Sequence, residues 1–421
     1  MNIVKTFVLV VFFTAVAISL GCGNRANGYF ENGSQHYQQK QFDEAISDFT
    51  KAIELNPRFA MAYNNRGSIY DRQGEYDKAI LDYTKAIEFT SELSPVLSGI
   101  YSNRAATYVH KGEYDAAISD CNKAITLNAN NIDAYNNRGN ARAKNGEYDE
   151  AIADLTKAIE LNPNQSGLYV NRAAAYDHKG KYNEAINDCS KAIELDPSNA
   201  QAYNNRGLPY YHEGQCEKGI VDYTKAIELN PEYIEPYVNR GVAYHHKGEY
   251  DKAIADYNKA IELSTDLSAL SAVYYNRALI YQAQSEYGKA IADCNKAIEL
   301  NPENAESYVN RGLAYLDNGE YDNAIADFNK IIELNPSIPD YYVNRGLAYA
   351  HKGEFDKAIT DYNKAINLDS GLSLAYLDRG LAYAHKGEYG LSVKDLELVL
   401  QIADDPKLID IAQRNLALIN K

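Results

Sequence analysis

The sequence predicts an all-α protein, an α-solenoid superhelix of about eleven stacked helix-turn-helix repeats with a C-terminal capping helix. Three observations predict it: an arginine that recurs about every 34 residues, apolar positions three and four apart within each interval, and Gly or Pro wherever that spacing breaks.

The arginine stands at Arg66, Arg104, Arg138, Arg172, Arg206, Arg240, Arg277, Arg311, Arg345 and Arg379, with gaps of 34 except one of 38 and one of 37. An earlier unit begins near Ala26, with Tyr29, Gly33, Phe42, Ala45, Phe49, Ala52 and Pro57 in matching positions and Asn32 where the others carry Arg.

Within residues 60–93, Tyr63, Gly67 and Tyr70 form one helical stripe, and Tyr76, Ala79, Ile80, Tyr83, Ala86 and Ile87 form a second. Gly74 between them supplies the left-handed residue that ends a helix, and Asn56-Pro57 ends the preceding unit because proline cannot continue one. Each unit is therefore a helix, a tight turn and an antiparallel helix. Gly at the Gly67 position and Ala at the Ala79 position let the two helices approach at the short end of about 8–10 Å, and Tyr rings fill the gaps beside them. This accounts for 37 Tyr against 10 Phe and no Trp.

The pattern resembles the tetratricopeptide repeat family along every position of the unit, with Tyr at the first aromatic position of all eleven units, from Tyr29 to Tyr376. The chain accordingly reads as repeats over 26–59, 60–97, 98–131, 132–165, 166–199, 200–233, 234–270, 271–304, 305–338, 339–372 and 373–406, with a cap over 407–421. One pair of helices buries too little surface to stand alone, so stacked units should give one continuous curved surface with an inner lining. Insertions around Thr90–Val96 and Ser264–Leu270 should lengthen the loop at two joints. Each precedes a unit with Ala for Gly and Cys for Tyr (Ala105 and Cys121, Ala278 and Cys294), which reads as a five-unit block copied once.

Residues 1–21 read as an export signal: Lys5, an apolar run from Thr6 to Leu20, then Gly21-Cys22. Fifteen residues at ~1.5 Å rise fall short of a ~30 Å hydrocarbon core, which favours a cleaved segment over a permanent span. The Leu20-Gly21-Cys22 ending resembles the lipobox of bacterial lipoproteins, although Ser19 stands where that family usually has Leu. The resemblance implies cleavage before Cys22, a lipid on Cys22, a short linker over 22–25 and a membrane-anchored protein of the cell envelope. Gly23 carries no inner-membrane retention signal of the Asp type, which points to the outer membrane; simple secretion or a periplasmic location is the alternative.

The net charge of −16 disfavours nucleic acid as a partner, because phosphates attract basic surfaces. No nucleophile elbow, P-loop, dinucleotide fingerprint or zinc-protease motif occurs, so no catalytic residue, cofactor or metal is expected. Six histidines share one position, His110, His178, His212, His246, His351 and His385, but neighbouring units set them ~10 Å apart. Ligands of one zinc lie only about 2 Å from it, so the helix dipole and solvent explain them better. Cys121, Cys189, Cys216 and Cys294 are likewise too far apart for disulfides and are expected as buried thiols replacing Tyr. Pro209 should kink a first helix.

Asp at the Asp82 position recurs in all eleven units, which with the Arg column suggests a ladder of ion pairs between facing helices. The binding candidates are the neighbouring amides Asn65, Asn103, Asn137, Asn171, Asn205, Asn239, Asn276, Asn310 and Asn344, with Asp378 closing the series. In the resembled family this position looks into the concave groove, where amides can hold the backbone of an extended peptide. The alternative is that each Asn bonds the adjacent helix. Beside them, Ser68, Ala106 and Asn140 give way to Leu208, Val242, Leu279, Leu313, Leu347 and Leu381, so the second half of the groove should be the stickier. These features point to a non-catalytic scaffold that binds a protein or peptide; a glycan- or peptidoglycan-binding module is the second reading.

Overall fold

The computed structural model describes residues 25–264 and 267–419, all-helical apart from short turns and loops. The signal segment and Cys22 lie outside the described residues.

The chain divides into two compact units, Met1–Leu229 and Asn230–Lys421. In the first, α1 (25–38) and α2 (Phe42–Leu55) are followed by α3 (Ala60–Arg72), α4 (Tyr76–Phe89), α5 (Leu97–Lys111), α6 (Tyr114–Leu127), α7 (Ile132–Lys144), α8 (Tyr148–Leu161), α9 (Ser166–His178), α10 (Tyr182–Leu195), α11 (Ala200–His212) and α12 (Cys216–Leu229). The second contains α13 (Ile234–His246), α14 (Tyr250–Leu263), α15 (Leu267–Ala283), α16 (Tyr287–Leu300), α17 (Ala305–Asp317), α18 (Tyr321–Leu334), α19 (Pro339–His351), α20 (Phe355–Leu368), α21 (Ser373–His385), α22 (Tyr389–Ile402) and α23 (Pro406–Ile419).

Within each unit, consecutive helices pack against each other, and successive first helices also touch. The turn inside a repeat is closed as the glycine demands. In the α3–α4 turn Gly74 has φ +76°, its N–H donates to the Asp71 carbonyl, and the Glu75 N–H reaches back to the Tyr70 carbonyl. Lys40 and Ser285 take the same left-handed conformation without being glycine.

The close approach of paired helices needs a missing side chain. A Cβ on Gly312 would lie 2.7 Å from the buried Phe328 ring, and one on Gly346 would lie 2.6 Å from Tyr362. Where the glycine is replaced by Ala, the ring is replaced by Cys: Ala105 with Cys121, Ala173 with Cys189, and Ala278 with Cys294, all six buried. The added methyl is matched by a smaller partner, so the repeat conserves volume.

Two expectations change. The second insertion does not remain a loop: α15 begins at Leu267 and runs 17 residues, against 13 for most first helices. Pro209 lies inside α11, which continues to His212, with the Pro209 carbonyl accepting from the Glu213 N–H. Cys216 is only half-buried, because it opens α12 at the Tyr76 position and does not replace an inner ring; Cys121, Cys189 and Cys294 are buried, and desolvation pushes the Cys121 and Cys294 thiols up to about 12.

At the chain end, α23 lays Leu408, Ala412, Leu416 and Ile419 against Leu377, Leu396 and Val399 of α21 and α22.

Candidate functional site

Each arginine of the column reaches from the first helix of its repeat to the aspartate sixteen residues on, in the second helix. Ten such pairs form two parallel hydrogen bonds each, Nε to Oδ2 and Nη2 to Oδ1, at 2.5–2.8 Å. Tyr rings flank the guanidinium; Arg172 lies 5.8 Å from the ring centres of both Tyr169 and Tyr176. In the first repeat, where Asn32 replaces Arg, His36 Nδ1 instead lies 2.9 Å from Asp48.

The third guanidinium nitrogen does something the sequence reading missed. Nη1 donates to the preceding repeat: Arg66 to Thr50, Arg104 to Thr84, Arg138 to Asn122, Arg172 to Thr156, Arg206 to Ser190, Arg277 to Asn258, Arg311 to Asn295, Arg345 to Asn329 and Arg379 to Asn363. The signal was present, since the acceptor position two residues after each aspartate is always Thr, Ser or Asn along this series. With these donors committed, the arginines join repeats and do not offer a free clamp for a ligand carboxylate.

The histidines also find a role across repeats. The ring of His178 stacks on Tyr148 at 5.5 Å, His212 on Tyr182 at 5.4 Å, His351 on Tyr321 at 5.3 Å and His385 on Phe355 at 5.1 Å, each aromatic opening the second helix of the preceding repeat. His110 bonds Asp71 at 3.0 Å, and that hydrogen bond holds its imidazole above the ordinary value. Among the described residues, no group of three or more His, Cys, Asp or Glu side chains is placed to hold a metal ion.

The amide column behaves differently in the two units. In Met1–Leu229, Asn103 donates to Asn64 Oδ1 at 3.1 Å, Asn137 to the Ser102 carbonyl at 3.1 Å and Asn171 to Asn136 Oδ1 at 2.8 Å. Asn65 and Asn205 accept from their own neighbours Asn64 and Asn204. The partner is the residue just before the amide column, a position the sequence reading passed over. There Asn64, Ser102, Asn136 and Asn204 are polar and Val170 is apolar, whereas the second unit carries Val238, Tyr275, Val309, Val343 and Leu377.

An apolar side chain cannot accept an amide proton. In Asn230–Lys421, Asn276 and Asn344 form no hydrogen bond among the described residues, and buried Asn310 reaches only the Cys294 sulfur at 3.6 Å. Asn239 is half-buried on α13. On the same first helices Leu279, Leu313, Leu347 and Leu381 remain half-exposed. The second unit thus places Asn276 and Asn344, without protein partners among the described residues, beside apolar side chains, while in the first Asn103, Asn137 and Asn171 are tied to adjacent helices.

Models of the tetratricopeptide repeat match residues 132–165, 168–199, 234–265 and 271–304, and also 30–95 and 309–373; a further TPR repeat model matches 105–146 and 209–248. The chain belongs to the tetratricopeptide repeat family.

Among solved structures of such proteins, YrrB, described as a TPR protein with an unusual peptide-binding site, is 26% identical over 44% of this chain and 95% of its own, with a TM-score of 0.41. MamA is 30% identical over 38% of this chain and 93% of its own, with a TM-score of 0.34. A tetratricopeptide repeat protein from Parabacteroides merdae is 21% identical over 59% and 98%, with a TM-score of 0.45. No curated protein sequence matches the chain.

Among the hollows of the tetratricopeptide framework, two bear on the amide column. One, of about 500 Å³ in the first unit, is lined by Asn64, Asn103, Asn128, Asn130, Asn131 and Gln165 among others, none of them aromatic. The other, of about 350 Å³ in the second unit, lies among Leu347, Phe355, Tyr362, Asp378 and Leu381. No described helix is long and apolar enough to cross a membrane.

Proposed function

We propose that this tetratricopeptide protein is a non-catalytic interaction scaffold that holds an extended peptide or protein segment along the first helices of its second unit. The observation that carries the reading is the pairing of Asn276 and Asn344, whose amides have no protein partner among the described residues, with half-exposed Leu279, Leu313, Leu347 and Leu381. An amide both donates and accepts, so it can bond a peptide backbone of any sequence, while the leucines receive apolar side chains. Affinity capture from membranes in mild detergent, comparing wild type with Asn276→Ala, Asn310→Ala and Asn344→Ala combined, should show loss of the captured partners. Unchanged capture would remove the amides from the account.

The scaffold is proposed to be tethered to the envelope, with the outer membrane preferred, through a lipid on Cys22. Support comes from the signal-like run ending in Leu20-Gly21-Cys22. Labelled palmitate should enter wild type and not Cys22→Ala; equal label in both leaves simple secretion.

The amide-lined hollow of the first unit favours the second reading, a glycan or peptidoglycan fragment, because hydroxyls match amide donors and acceptors. It lacks the aromatic plate on which a sugar face stacks, which ranks it below the peptide reading. Retention of the chain on purified peptidoglycan, lost in Asn103→Ala, would reverse that order.

A further inference from the structure

We infer that the hollow between α19, α20 and α21 receives a lysine side chain of a partner polypeptide, with Asp378 as its counter-charge. The inference rests on the peptide reading above and names the chemistry of one residue of the bound segment.

Asp378 lines this hollow and has no hydrogen bond or ion pair among the described residues. It stands at the amide position, where nine other repeats carry Asn, from Asn65 to Asn344. The shape is therefore already accommodated by the repeat, and what Asp378 adds is charge. Leaving a carboxylate in such surroundings without a partner is costly, and such sites are where function retains an unfavourable group. Desolvation pushes the carboxyl up to about 7.

The groups facing Asp378 supply no fixed cation. From α19 comes His351, from α20 the Tyr362 hydroxyl, itself held above its ordinary value by burial and by the Asp378 charge, and from α21 His385. Arg345 and Arg379 are turned to Asp361 and Asp395. The walls are Leu347, Ala350, Phe355 and Leu381, against which the methylenes of a lysine can lie while its ammonium meets the carboxylate. A bare divalent ion fits poorly, because it needs six or more oxygens and the hollow offers one carboxylate.

The test uses the full chain and the capped amino acids Nα-acetyl-lysine methylamide and Nα-acetyl-norleucine methylamide, read by saturation-transfer NMR. At about pH 8 the lysine probe should bind about tenfold more tightly than the norleucine probe, and Asp378→Asn should erase the difference. The preference should shrink at about pH 6, where Asp378 is mostly protonated. Circular dichroism should show Asp378→Asn folded, since nine other repeats carry Asn at this position. Equal signals from the two probes, a lysine preference that survives Asp378→Asn, or no transfer from the lysine probe at about 10 mM, weaker than any useful side-chain subsite, would each overturn the inference. Capture lost with the triple Asn variant but unchanged in Asp378→Asn would leave the peptide reading standing and this subsite refuted.

Discussion

The guanidinium of Arg172 faces the carboxylate of Asp188 with Nε 2.7 Å from Oδ2 and Nη2 2.8 Å from Oδ1, while its Nη1 sits 2.9 Å from Thr156 in the repeat before. These bonds hold the arginine above its ordinary value against the opposing effect of burial. One side chain thereby closes its own repeat and ties it to a neighbour.

Asp188→Ala should destabilise the chain by about 3–5 kcal/mol, because it leaves a largely buried guanidinium without its counter-charge. Arg172→Met with Asp188→Leu should cost far less than either single change. Urea unfolding of the single and double variants checks this, and a double loss equal to the sum of the two single losses would show that the pair is not coupled.

Gly312→Ala should destabilise by about 1–3 kcal/mol by driving a methyl into the Phe328 ring. Adding Phe328→Cys should recover part of that loss, as Ala173 with Cys189 already does in the chain. A double-mutant cycle by thermal melting measures the coupling, and strict additivity would refute the volume exchange.

Ser285→Gly should stabilise by about 1 kcal/mol, since Ser285 holds φ +59° in a turn that glycine closes in nine other repeats. A melting temperature that falls would mean the serine makes a compensating contact.

Asp378→Asn should stabilise α21 above neutral pH and change little in mild acid. The folded value near 7 lies above the ordinary carboxylate value of 3.8, so the folded state holds the proton more tightly. Wild-type stability present below the unfolded value is lost as pH rises through about 7, and asparagine has no such loss. Amide exchange of α21 at about pH 5 and about pH 8 reads the difference, on the order of 1–3 kcal/mol at the higher pH. Equal exchange in both proteins at the higher pH would show that the carboxyl has a partner.

Fold and ladder were both legible before any coordinates, because the 34-residue recurrence and the Arg66 and Asp82 positions are visible as residue types. The fate of the amides was not. Whether Asn103 or Asn344 keeps its donors free depends on the residue one position earlier in the preceding repeat, Asn64 in one case and Val309 in the other. Reading the column alone hides that dependence. Ala173 with Cys189 escaped notice for a similar reason: no insertion precedes that repeat, and only the packing shows that the two substitutions answer each other.

The backward reach of Nη1 gives the array a polarity. Of this bond, trimming repeats from the α23 end of the second unit leaves a neutral acceptor, whereas trimming from the α1 end of the first leaves a guanidinium nitrogen that had Thr50 or Thr84 to bond. Shortened versions built from the two directions are therefore not equivalent, and fraying should proceed more readily from one terminus than from the other.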